Sequence, residues 1–186
     1  LRIRKFSSEG VTMHTIKSFI RHEISSGFKP DLIVLDYIDC VESTKHYADE
    51  WSGEGNVMRG FESMLSEFGL VGWTAVQGNR SAIGAELVEA NMMGGSIKKG
   101  QIGHFILSAA KTLDQKEKGR ATLAILKSRF GKDGVVFEDI LFDNGTLIVD
   151  TSDTSDVTFL EHSNNNKKKD SNFIQETLNK KRESLN

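Results

Sequence analysis

Four short stretches carry residues able to do chemistry. Asp36 ends the apolar run Pro30-Asp31-Leu32-Ile33-Val34-Leu35-Asp36-Tyr37. An apolar run without alternation predicts a parallel strand buried on both faces, and open α/β sheets bind ligands at the carboxyl ends of their strands. A carboxylate there suits the magnesium of a nucleotide, and it equally suits the cap of a following helix. Gln77-Gly78-Asn79-Arg80-Ser81 stands where a second apolar run, Leu70 to Val76, stops. Polar groups in that place belong either to the same binding edge or to an ordinary capped turn. The third stretch, Asn91 to Gln101, contains Gly94, Gly95, Ser96, Lys98 and Lys99. Adjacent glycines permit close approach of another backbone and the lysines add positive charge, which fits a held phosphate chain or a flexible, solvated loop. In the fourth, Lys127 and Arg129 end an apolar run. Two apart on a strand, they project from one face, as a polyanion site or as edge charges against aggregation.

The elements that must position these residues follow from periodicity. Leu1 to Phe6 alternates weakly as a strand. Thr12 is placed to cap a helix whose apolar face is Ile16, Phe19, Ile20 and Ile24, with Gly27 as its stop. With the strand to Asp36, this predicts a strand-helix-strand parallel unit. Asp39 to Gly55 is a long, charged connection beside the binding edge, facing a ligand or solvent. Val57, Met58, Phe61, Met64, Leu65 and Phe68 form the core face of a second helix, with Asn56 as its cap and Gly69 as terminator. A short helical stretch at Leu87 and Val88 follows, then a strand from His104 to Ala109, a charged turn from Asp114 to Gly119 and a strand from Ala121 to Leu126. Val135 to Phe142 and Thr146 to Val149 flank Asp143-Asn144-Gly145, a hairpin signature.

Composition bounds the class. The 186 residues are enough for one domain with a proper core, and 24 basic against 26 acidic residues select neither a nucleic-acid partner nor an acidic one. A single cysteine, Cys40, and the lack of a long apolar segment or signal peptide point to a reducing interior, without a membrane span or disulfide framework. From Asp150 onward Ser, Asp, Thr and Asn dominate, so residues 1–150 are expected to be the folded domain and 151–186 a polar, flexible tail. Within that tail Phe173, Ile174, Thr177 and Leu178 have the spacing of a short amphipathic helix. The chain opens at Leu1, without Met and in a strand-like segment, so it reads as a piece of a longer protein.

Taken together, Asp31 to Tyr37, Gln77 to Ser81, Gly95-Ser96-Ile97 and Lys127-Ser128-Arg129-Phe130-Gly131 resemble, in order and spacing, motifs of the carboxyl-terminal ATPase domain of DnaB-type replicative helicases, in a phage- or plasmid-like form. The resemblance covers about Leu1 to Val149. It implies a RecA-like α/β fold with a mainly parallel central sheet flanked by helices and a carboxyl-terminal β-hairpin. It implies ATP and Mg2+ as cofactors, single-stranded DNA as partner, a homo-oligomer such as a hexameric ring, contact with a primase or helicase loader, and the cytoplasm of a bacterial host cell. Asp36 matches the aspartate that helps hold magnesium and orient water, and Gln77 the polar residue that senses the γ-phosphate. Met92 to Lys99 matches the channel loop that holds the DNA backbone, with Arg80 nearby on the preceding strand end. Met92 and Met93 replace an Arg-Glu pair common in the family, which passes the phosphate contacts to Lys98 and Lys99. Lys127 and Arg129 match the basic pair offered to the neighbouring subunit's nucleotide, Arg129 being the arginine finger.

No G-x-x-x-x-G-K-[ST] spacing occurs anywhere in the chain. By the resemblance, that loop and the acidic residue that activates water would precede Leu1. These residues alone are therefore expected to bind ATP poorly and hydrolyse it negligibly, while the intact protein acts as a helicase. Two other classes share parts of the pattern: a RecA-like recombinase or switch ATPase that does not unwind, and a non-catalytic module that binds single strands or joins a ring.

Overall fold

The helix over Met13–Ser25 (α1) starts where the sequence predicts, because Thr12 and Thr15 cap each other's backbone reciprocally. Its Ile16 and Ile20 are buried, whereas Ile24 is exposed. The computed structural model describes residues 1–7, 9–44, 50–94, 97–152, 154, 156–168 and 171–172, with the side chains of residues 50–52 and 97 left aside. The amphipathic stretch expected at Phe173, Ile174, Thr177 and Leu178 lies outside the described residues, as do Gly95 and Ser96.

The described chain divides into two compact units, one of residues 1–83 with 89–104 and one of residues 84–88 with 105–186, in place of the one domain expected over 1–150. In the first unit β1 (Leu32–Leu35) pairs in parallel with β2 (Val71–Thr74), Leu35 opposite Thr74. The intervening helix α2 (Glu50–Phe68) is the crossover. Val11, Ile16, Ile20, Ile38, Val57, Phe61 and Met64 form the core, and Ile33 and Leu35 pack against it from the strand. The opposite face is not covered by this unit: Leu32, Val34, Val71 and Trp73 are 51%, 69%, 61% and 47% exposed. The expected burial of both faces is thus found for one only.

Three local readings are corrected in this unit. Leu1 to Phe6 forms no strand. Its side chains find partners elsewhere: Phe6 meets Phe19 edge to face at 5.7 Å, Arg4 lies over the Phe19 ring, and Arg2 pairs with Glu23. The second helix begins at Glu50, so Asn56 is interior and not a cap. Glycines at 53 and 55 argue against helix locally. At Gly55, however, the Lys98 stem lies where a Cβ would stand, so the glycine admits a close contact. At Leu87 and Val88 the chain is bent or irregular, and the nearest helical turn is Ala90–Met92. That turn leads to the short helix α3 (Ile97–Ile102).

The second unit holds the larger sheet, and it is antiparallel, which corrects the expectation of a mainly parallel one. Strands β3 (Phe105–Ala110), β4 (Arg120–Ser128), β5 (Val135–Asp143) and β6 (Ile148–Asp150) lie in that order, and β7 (Asp156–Thr158) also pairs with β5. Chain length explains it. Residues 111–119 and 129–134 are all that join β3 to β4 and β4 to β5, too few for a parallel crossover of a dozen or more residues. The first of these links is not a turn but a helix, α4 (Leu113–Lys118), with a Thr112–Gln115 capping box and left-handed Gly119 at its end.

The predicted hairpin is present as β5 and β6, with Phe142 opposite Val149. Its turn is held by Asp143, whose carboxylate accepts from Gly145 N at 2.8 Å and from Thr146 Oγ1 at 2.8 Å. The positive φ falls on Leu147. Ala121, Leu123 and Ile140 form the core with Phe137 and Phe142. Part of the expected tail is built into this unit: β7 is one element of it, and residues 159–168 are helical. There His162, 7% exposed, meets Glu138 through Nδ1 at 2.5 Å.

Candidate functional site

Because β1 and β2 run parallel and in register, their carboxyl ends reach the same edge of the first unit. Thr74 Oγ1 donates to Leu35 O at 2.8 Å and ties the two strands just before that edge. Asp36 leaves β1 there with an exposed side chain. Two residues on, a helical turn over Ile38–Cys40 is anchored by Ile38, which is 2% exposed in the core. The anchor fixes Asp39 and Tyr37 beside the strand end.

Gln77, exposed beyond β2, is held from three sides. Its N–H donates to Asp39 Oδ2 at 3.2 Å, its side-chain Nε2 donates to the Tyr37 hydroxyl at 3.2 Å, and its carbonyl accepts from Gly94 N at 2.6 Å. The last contact explains a glycine: a Cβ at Gly94 would stand 2.5 Å from Gln77 O. Asn79 N donates to Met92 O at 2.8 Å, and Gly78 and Met93 form an antiparallel bridge, so the two loops run side by side. The Asn79 side chain caps the turn Arg80–Ala82, which presents Arg80 exposed. The Tyr37 phenol is held above its ordinary value, first by its hydrogen bond with Cys40, then by Cys40 charge, burial and the carboxylates of Asp39 and Asp36. It remains a neutral hydroxyl across physiological pH.

Lys98 and Lys99 have opposite environments. Lys98 is exposed. Lys99 is 4% exposed, and its Nζ donates to Asp39 Oδ1, pairs with Glu54 Oε2 at 3.0 Å and approaches Gly94 O at 3.4 Å. A buried ammonium between two carboxylates is not placed as a solvent-facing phosphate contact would be. Sequence reasoning misses Asp39 and Glu54, since both fall in the stretch that reads as a polar connection. The one available signal is Asp39 itself, an acid three residues after Asp36 at a strand end.

The second basic pair belongs to the second unit. Lys127 is the penultimate residue of β4, opposite Ile106, while Arg129 lies past the strand in a bend. Their predicted common strand face is therefore corrected: the alternation ends at Ser128. The two charges nevertheless feel each other. The Lys127 ammonium is held below the ordinary lysine value, mainly by burial and further by the Arg129 guanidinium. Arg129 is exposed.

Among the described residues, no three His, Cys, Asp or Glu side chains gather as a metal site. Asp36 offers one exposed carboxylate, which fits magnesium held by one protein ligand together with phosphate oxygens and water. A cavity of about 420 Å³ between α1 and α2 has His14, Lys17, Glu42 and Arg59 in its wall and none of the predicted site residues. No described helix is long and apolar enough to cross a membrane.

No protein-family model and no curated protein matches the chain. Solved structures do. The chain is similar to a solved ATPase domain of a DnaB-like helicase (TM-score 0.64, 17% identity, 75% of this chain and 51% of that one). It is similar to the same degree to a DnaB-like replicative helicase whose structure was described together with its interactions with primase (TM-score 0.64, 18% identity, 75% of this chain and 35% of that one). The chain thus spans about half of the first structure and about a third of the second. At these identities the likeness concerns fold: a mixed α/β arrangement matching the ATPase domains of DnaB-like helicases.

Proposed function

We propose that this chain is part of the ATPase domain of a DnaB-type replicative helicase, which couples ATP hydrolysis to movement along single-stranded DNA and to duplex unwinding in a ring. The observation that carries the reading is the shared edge of two parallel strands, where Asp36 and Gln77 stand together in a fold matching such domains.

Magnesium would be held by Asp36, with ATP oxygens completing its shell; the bound nucleotide supplies the scissile anhydride. Gln77 reads the occupancy of that edge, because its side chain, N–H and carbonyl are each tied to a different segment. Lys127 and Arg129 present two cations to a nucleotide on a neighbouring copy, where positive charge placed in advance stabilises the developing negative charge. Arg80, Gly94, Gly95, Ser96 and Lys98 form the face that holds the DNA backbone by its phosphates, and a primase is a partner of the assembled ring.

Hydrolysis of ATP by the protein carrying this chain, with and without single-stranded DNA, tests the reading. DNA is expected to stimulate turnover, and Asp36→Asn to remove it. Turnover that survives Asp36→Asn would overturn the assignment.

A further inference from the structure

The buried Lys99 is not used by the reading above, and its surroundings give it a different task from that of Lys98. Its ammonium meets Asp39 Oδ1 on one side and Glu54 Oε2 at 3.0 Å on the other. The second Asp39 oxygen accepts from Gln77 N at 3.2 Å. One carboxylate thereby joins the turn after β1, the end of β2 and the start of α3. Gly94 closes the circuit, since its N–H reaches Gln77 O and its own carbonyl lies 3.4 Å from Lys99 Nζ.

We infer that Asp39 and Lys99 are positioning residues: their ion pair latches the Met92–Gly94 segment and α3 to the Gln77 strand end, so that the single-strand-binding face moves with the nucleotide edge. This rests on the DNA-binding reading proposed above. Three features support a latch over a direct phosphate contact. Lys99 is buried, its charge is satisfied from within the unit, and its partners come from three separate segments. An ammonium so placed would have to give up two carboxylates to reach DNA. Lys98, one residue earlier, is exposed and needs no such exchange. In a packed site an ion pair of this kind has two discrete arrangements, joined or parted, which is what a coupling element requires.

The test is binding of fluorescent oligo(dT) by the protein carrying this chain, measured against salt for the wild type, Lys98→Ala, Lys99→Met, Asp39→Asn and the Asp39→Asn/Lys99→Met double variant. Lys98→Ala should lower the salt slope by about 0.7, the share of one phosphate contact on a single strand. Lys99→Met and Asp39→Asn should each weaken binding about tenfold with the wild-type slope, and the double variant should be no worse than either single one. Hydrogen exchange at Gly94 and Gln77 should quicken in Asp39→Asn. Asp39→Asn keeps the side chain's shape, so it carries the test if Lys99→Met does not fold. The latch is refuted if Lys99→Met lowers the slope as Lys98→Ala does while Asp39→Asn leaves or tightens binding, or if the two effects simply add. If the wild type binds no oligo(dT), the DNA-binding reading fails by itself, and unchanged exchange in Asp39→Asn then refutes the latch separately.

Discussion

The two groups of candidate residues are built in opposite ways. At the strand edge of the first unit the polar side chains are engaged with one another: Gln77 touches three segments, Asp39 two, and Lys99 is enclosed by carboxylates. In the second unit Arg129 stands exposed beyond the end of β4, and its charge acts on Lys127 by repulsion. A binding edge that must respond to its ligand needs connections through which to respond. A cation offered to another molecule needs reach and exposure. The contrast predicts that substitutions at the first site disturb stability and function together, whereas those at the second disturb function alone.

The largest effect should come from Arg129→Ala. A finger supplied in trans is worth about a thousandfold or more in turnover, so hydrolysis should fall by that order. The stability measured by urea denaturation should stay within about 0.5 kcal/mol of the wild type, as for an exposed residue. A large loss of stability would erase the contrast. Lys99→Ala should do the reverse. Parting a buried ammonium from two carboxylates should cost about 3 kcal/mol in urea denaturation, the low end for a broken buried pair because Asp39 and Glu54 keep some contact with water.

Thr12→Ala removes a helix cap remote from the strand edge and should cost about 1 kcal/mol, with hydrolysis changed only through stability. The smallest effect is a titration. Removing the Arg129 charge should move the Lys127 pKa upward, because the charged ammonium then loses a repulsive neighbour. Burial remains the larger cause, so the shift should not restore the ordinary lysine value, and NMR titration of the Lys127 side chain reads it directly. No movement would mean that the pair does not share a local field.

How much of this is legible in the sequence depends on how far apart the interacting residues lie. The Thr12 cap, the strand ending at Asp36, the Gln77 strand end and the Asn144-Gly145 hairpin are local patterns, and all four are found. The Lys99, Asp39 and Glu54 cluster joins residues up to 60 positions apart, and nothing in the spacing of charges marks which lysine turns inward. Helix α2 starts earlier than its sequence suggests: Gly53 and Gly55 are poor helix formers, while contact with α3 overrides that preference. The antiparallel sheet is a different kind of miss. The connections on either side of β4 are visibly too short for parallel crossovers, so the physical argument against the parallel sheet implied by the resemblance lies in the sequence itself.

The central claim is that the Asp36 edge of one copy works with the Arg129 cation of the next. Mixing two inactive variants of the protein carrying this chain, Asp36→Asn and Arg129→Ala, tests it most directly. In a mixed ring some junctions bring the intact Asp36 of one variant against the intact Arg129 of the other, so ATP hydrolysis should reappear on mixing at a fraction of the wild-type rate. A mixture as inactive as its two components, in rings shown to contain both, would contradict the account.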